Sequence, residues 1–112
     1  MKIQPYERTE AEPAEGIPGV SVRWVISEKD GAPNFAMRVF DVAPGAASPF
    51  HQHPWEHEVF ILQGKGAVKS ATGENPVEAG YVVFVKPNEQ HQFVNKGDSV
   101  LRFICLIPYQ RK

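Results

Sequence analysis

His51-Gln52-His53-Pro54-Trp55-Glu56-His57-Glu58 holds three of the four histidines in this 112-residue chain, and the fourth, His91, follows Lys86-Pro87-Asn88-Glu89-Gln90. Neutral imidazole is the commonest metal ligand, because one ring nitrogen offers a lone pair at neutral pH. One isolated histidine usually has no such role; a whole histidine supply concentrated in this way points to a metal site. Side chains on an extended segment alternate faces, so His51 and His53 point the same way. Pro54 cannot donate a ladder hydrogen bond and breaks regular pairing. A short turn through Trp55 and Glu56 then returns His57 on a neighbouring strand, and His91 comes from a different hairpin. Four ligands from two distant segments can thus surround one ion. Glu58 is the rival to His57. On the strand after the turn, residues 57, 59 and 61 face one way and 58, 60 and 62 the other. Parity therefore favours His57, with Glu58 beside the site or at the surface.

The flanking sequence consists of short alternating segments punctuated by ten prolines and nine glycines. No apolar stripe persists at helical spacing. Strands are predicted over 20–26, 35–42, 58–62, 66–70, 76–79, 81–85, 92–94 and 100–107. Ala71-Thr72-Gly73-Glu74-Asn75 reads as a hairpin turn. Residues 81–85 are nearly all apolar, which predicts a strand buried on both faces. Strands at this spacing argue for an all-β sandwich or barrel. Residues 1–16 read as an N-terminal arm, and 17–112 as one barrel domain.

The formal charge of −1 and the 42% apolar content describe a globular domain with one core. No basic face for nucleic acid is present. The start lacks the apolar core of a signal peptide, and no run is long enough to span a bilayer. A cytoplasmic location is expected. The lone cysteine, Cys105, excludes an internal disulfide framework.

Leu101, Phe103, Cys105 and Ile107 alternate on the last segment and are expected to face the interior, and Phe93 shares the face of His91. Arg38 is a cation on the apolar segment Phe35-Ala36-Met37-Arg38-Val39-Phe40. It is either solvent-facing or a pocket cation that attracts a substrate carboxylate. Cys105 reads as a small buried apolar residue. Trp24 and Trp55 read as packing or dimer residues. No general base is evident; Glu56 and Glu58 qualify only if the turn brings one to the pocket.

The spacing of these residues resembles the small single-domain cupins. Gly45, five residues, His51-Gln52-His53 and then Gly64 follow their first motif, with His57 where the family usually places glutamate. Gly80, Lys86-Pro87-Asn88, His91 and Asn95 follow the second, with lysine for the usual proline and asparagine for the usual glycine. Asparagine tolerates left-handed backbone, so that change is mild. The stretches Ala32-Pro33-Asn34-Phe35, His53 to Glu58 and Cys105-Leu106-Ile107-Pro108 are similar to the four-histidine manganese subgroup. The resemblance implies a jelly-roll (double-stranded β-helix) barrel, a homodimer, and one divalent transition metal, manganese first and iron second. Zinc, nickel and copper also suit imidazole ligands. Four neutral imidazoles leave a divalent site at +2, which favours anionic partners.

The first functional reading is a dioxygenase-type oxidoreductase acting on a small organic molecule. Its rivals are a non-catalytic module that binds a small anion and a metal-dependent isomerase or lyase. The dimer is expected to form where Ile3 and its neighbours pair with the partner's sheet edge.

Overall fold

A computed structural model describes residues 1–109. It contains nine strands: β1 (Glu12–Pro13), β2 (Val20–Ile26), β3 (Phe35–Val42), β4 (His57–Gln63), β5 (Lys65–Ser70), β6 (Gly73–Glu78), β7 (Val82–Val85), β8 (His91–Asn95) and β9 (Leu101–Pro108). Two antiparallel sheets form, one of six strands in the order β1-β2-β3-β9-β4-β7 and one of three in the order β6-β5-β8. The all-β jelly-roll expectation holds. Helical structure among the described residues is confined to short 3-10 turns at Tyr6–Arg8 and Glu28–Asp30.

The core lies between the sheets and follows strand parity. Val42 pairs with Leu101, Phe40 with Phe103, and Phe103 with Ile61, so these side chains line up on one inner face. Ile61, Leu101 and Val42 are fully buried. Each such side chain contributes about 1.5–3 kcal/mol of transfer free energy. From the opposite sheet, Phe93 stacks on Phe103 at 4.5 Å between ring centroids. Asn95 is buried among apolar groups but fully paired. Its amide donates to the carbonyls of Val42 and Ser99, each at 2.8 Å, and its oxygen accepts from the Gly97 amide at 2.8 Å. It ties the end of β8 to the end of β3, where an unpaired amide would be costly.

Two expectations are corrected. The apolar segment 81–85 is not buried on both faces: β7 is the edge strand of the large sheet, with Val82 75% and Phe84 58% exposed. A short run of apolar residues cannot distinguish a central strand from an edge strand with an apolar outer face. The hairpin turn is tighter than five residues, because Ser70 pairs with Gly73 and leaves only Ala71-Thr72 between them. The end of the arm is joined to the barrel. β1 pairs with β2, Ala14 is buried, and Tyr6 lies under the Arg23 and Arg102 guanidiniums, each 5.4 Å from its ring centroid.

Gly64 turns the chain between β4 and β5 at φ 90°, and a Cβ there would lie 2.5 Å from the Val100 carbonyl oxygen and 2.9 Å from the Leu101 Cα. Both neighbours are backbone and cannot swing away. Gly64→Ala is therefore expected to cost about 1–3 kcal/mol from the dihedral alone, with the clash in addition. Urea unfolding followed by circular dichroism measures it, and a midpoint equal to that of the natural protein would contradict it.

Candidate metal centre

The segment before β4 does not form a regular strand, yet it is pinned to β8. His51 and His91 exchange backbone hydrogen bonds, the His51 amide to the His91 carbonyl at 3.1 Å and the reverse at 2.9 Å. Ser48 and Phe93 are linked by the Ser48 amide at 2.9 Å, and the Asn88 amide donates to the His53 carbonyl at 2.6 Å. Asn88 takes φ 65°, as the substitution at the usual glycine position anticipates. His57 opens β4 and His91 opens β8, so the cluster sits between the two sheets.

The structure brings all four histidine rings together. Around the perimeter the ring centroids are 4.4 Å apart for His51–His53, 5.3 Å for His53–His57, 4.9 Å for His57–His91 and 4.8 Å for His91–His51. His57 is 6% exposed, whereas Glu58 lies on the opposite, outer face between Phe84 and Leu106. His57 therefore faces inward and Glu58 outward.

Several features fit a metal ion. The Nδ1 of His91 donates to the Glu89 carbonyl at 2.8 Å, which leaves Nε2 as the nitrogen with the lone pair. The Nδ1 of His57 is buried with no hydrogen-bond partner among the described residues, an atom that an electron-pair acceptor would satisfy. Three of the rings, His51, His53 and His57, favour the neutral form that ligates. Burial, with the repulsion of the neighbouring rings and Arg38, pushes His57 from its usual 6.5 down to about 3. Burial also lowers His51 and His53, with the Glu15 carboxylate opposing the shift at both.

Glu15 has no counterpart in the sequence reading. Its carboxylate lies 3.7 Å from the Nδ1 of His51. Glu15, His51 and His53 form the tightest donor group among the described residues, with one ligand atom of each within 4.8 Å of the others. His57 and His91 adjoin this group through the ring contacts but fall outside it at that spacing. Glu15 reaches the site from a turn in which the Ile17 amide donates to the Ala14 carbonyl at 3.0 Å and Glu15 and Gly16 take φ 52° and 67°. A glutamate at positive φ is uncommon, and such strain often marks a functional position. The only sequence signal was Glu15-Gly16 in an otherwise featureless arm.

The histidines open into a cavity of about 290 Å³, at the small end of ligand pockets. Phe93, Phe103 and Cys105 line it, and so does Arg38, for which the sequence left a solvent-facing position equally open. Ile107 does not; it packs against the core beyond the cavity, beside Pro108. Trp24 does line it, although it reads from sequence as a packing or dimer residue. Trp55 stacks on His53 at 4.5 Å and 8° and stays outside the cavity. Glu56 and Glu58 are likewise not part of the wall.

A profile described as "Cupin domain" matches residues 38–107. The chain belongs to the cupin family. Among solved structures, this cupin is similar to the polyketide cyclase RemF from Streptomyces resistomycificus, at a TM-score of 0.93 and 30% identity over 99% of this chain and 81% of that one. Among curated proteins, it is similar to an oxalate-binding protein of Thermotoga maritima, 34% identical over 57% of this chain and 54% of that protein. It is also similar to a glucose-6-phosphate isomerase of Pyrococcus horikoshii, 36% identical over 72% of this chain and 49% of that protein. The chain spans about half the length of the curated relatives it matches. No helix among the described residues is long and apolar enough to cross a membrane.

Because His57 binds its proton less well when folded, the unfolded chain holds a proton that the native state excludes between about pH 6.5 and 3. Its contribution to the stability of the metal-free protein is complete above pH 6.5 and is lost as pH falls through that window. Urea unfolding of metal-free protein at pH 7.5 and 4.5 should show a steeper loss for the natural chain than for His57→Gln. An equal loss would contradict the assignment.

Proposed function

We propose that this cupin is a metal-dependent enzyme that moves protons on a small enolisable carbonyl compound, in a cyclisation, isomerisation or lyase reaction. His51, His53, His57 and His91 would hold one divalent ion. Such an ion supplies Lewis-acid polarisation of a substrate oxygen. The observation that carries this reading is Glu15, a carboxylate beside His51 on the cavity wall and 52% exposed at its side chain. From there its Oε1 can take a proton from a bound carbon acid and return it at another atom, which is the role of a general base. Phe93, Phe103 and Phe40 supply apolar wall to the same cavity. The similarity to a polyketide cyclase over nearly the whole chain, and to a sugar phosphate isomerase, agrees in reaction type.

The second reading is the dioxygenase, favoured by the same apolar wall, which keeps water from a reactive centre. Metal substitution separates the two. Zinc has no redox chemistry. Turnover of a 1,3-diketone panel by the zinc-loaded protein without oxygen uptake is the expected result, with Glu15→Gln lowering kcat at least tenfold while zinc is retained. Turnover confined to iron or manganese, with oxygen consumed, would replace the first reading by the second. Loss of metal on His57→Ala, with full occupancy in Glu58→Ala, is expected from elemental analysis; the reverse would assign the fourth ligand to Glu58.

A homodimer is proposed as well, through the outer face of the large sheet more than through Ile3. Phe60 pairs with Val82 there and Leu62 and Phe84 adjoin, all exposed. Contiguous apolar surface of this kind marks an interface. Phe60→Lys combined with Val82→Lys should give a monomer by light scattering; an unchanged mass would exclude this face.

A further inference from the structure

The cavity contains a cation that the proton-transfer reading does not use. Arg38 sits on the inner face of β3, paired with Cys105 of β9 on one side and Trp24 of β2 on the other. Its guanidinium carbon lies 5.3 Å from the Trp24 ring centroid and 4.8 Å from that of Phe40. One nitrogen, Nη2, is 3.1 Å from the Cys105 sulfur, and Nε is buried with no hydrogen-bond partner among the described residues.

A guanidinium stays charged at any working pH, so its burial needs compensation. Ion pairs among the described residues leave Arg38 out. The Cys105 sulfur is a weak acceptor, and burial pushes its thiol up despite the pull of Arg38, so the thiol stays neutral. Ring faces supply part of the compensation and also hold the planar fork in place. Arg38 repels protons from His51, His53 and His57, which puts it in the same electrostatic enclosure as the imidazoles. Among the described residues, the carboxylates on the wall are Glu12 and Glu15, which belong to its exposed edge. The interior is therefore a cationic, aromatic-walled cavity with guanidinium donors unfilled.

We propose that Arg38 anchors the carboxylate of the substrate, and that the substrate class is a small hydroxy or oxo acid with an aromatic or other flat apolar body, its second oxygen facing the four imidazoles. The second oxygen's position rests on the reading of those imidazoles as a metal site; the carboxylate anchor does not. A planar carboxylate matches the guanidinium fork, and a flat body matches Trp24, Phe40 and Phe93. The cavity of about 290 Å³ admits one or two fused rings.

The test is calorimetric titration of zinc-loaded protein with salicylate and with salicylamide, which share ring and phenol and differ in the carboxylate. Salicylate is expected to bind at least tenfold more tightly. Arg38→Met should remove that preference while keeping the zinc content and the salicylamide affinity, and Arg38→Lys should keep part of it. An unchanged salicylate affinity in Arg38→Met would overturn the proposal. If Arg38→Met does not fold, the natural protein without metal still decides. Millimolar benzoate should raise its melting temperature and benzamide should not; equal effects would overturn the anchor. A natural protein that binds no zinc yet responds to benzoate would refute the metal reading and leave the anchor standing.

Discussion

The site depends on one backbone constraint, the reciprocal hydrogen bonds between His51 and His91. They fasten an irregular segment to the first residue of β8, and so bring two parts of the chain separated by forty positions to a fixed spacing. The remaining ladder hydrogen bonds act in series with this bridge. Ser48 extends the contact to Phe93, Asn88 closes it at His53, and Asn95 anchors the far end of β8 to β3. Imidazole rings with centroids 4.4–5.3 Å apart around a perimeter would repel if protonated. Burial disfavours the proton on His51, His53 and His57, so that these rings can share the space as neutral groups.

The second consequence is electrostatic. Among the described residues the inner wall carries a guanidinium and no acid, and the acids stand at the edge where the cavity meets solvent. A neutral ligand would leave Arg38 uncompensated, whereas an anion satisfies it directly. The same polarity divides the cavity: its deep wall is aromatic and cationic, and Glu15 stands at the exposed turn. The strain of a glutamate at φ 52° is consistent with a residue held for its position more than for its packing.

The all-β class, most strand positions, the inward parity of His57 and the interior face of β9 down to Cys105 were legible in the sequence. Alternation with period two survives folding unchanged, because a strand cannot rotate one residue without exposing its whole inner face. The four histidines were legible as a group because a rare residue type was concentrated at strand boundaries. The misreadings share a cause. Val82 and Phe84 read as core because the residue type says apolar, but only the strand order tells whether a second layer covers them. Ile107 has the right parity but lies one step past the end of the cavity.

By itself the sequence determined which faces could be apolar, where turns could form and that imidazoles would converge, since these follow from local stereochemistry and side-chain type. Only the tertiary structure decided that Glu15, from an arm with no motif, closes against His51, and that Trp24 and Arg38 look into the cavity. Both depend on β1 and β2 joining the same sheet as β3. Pairing between strands distant in sequence is selected by the burial of the whole sheet, not by any residue in the pair.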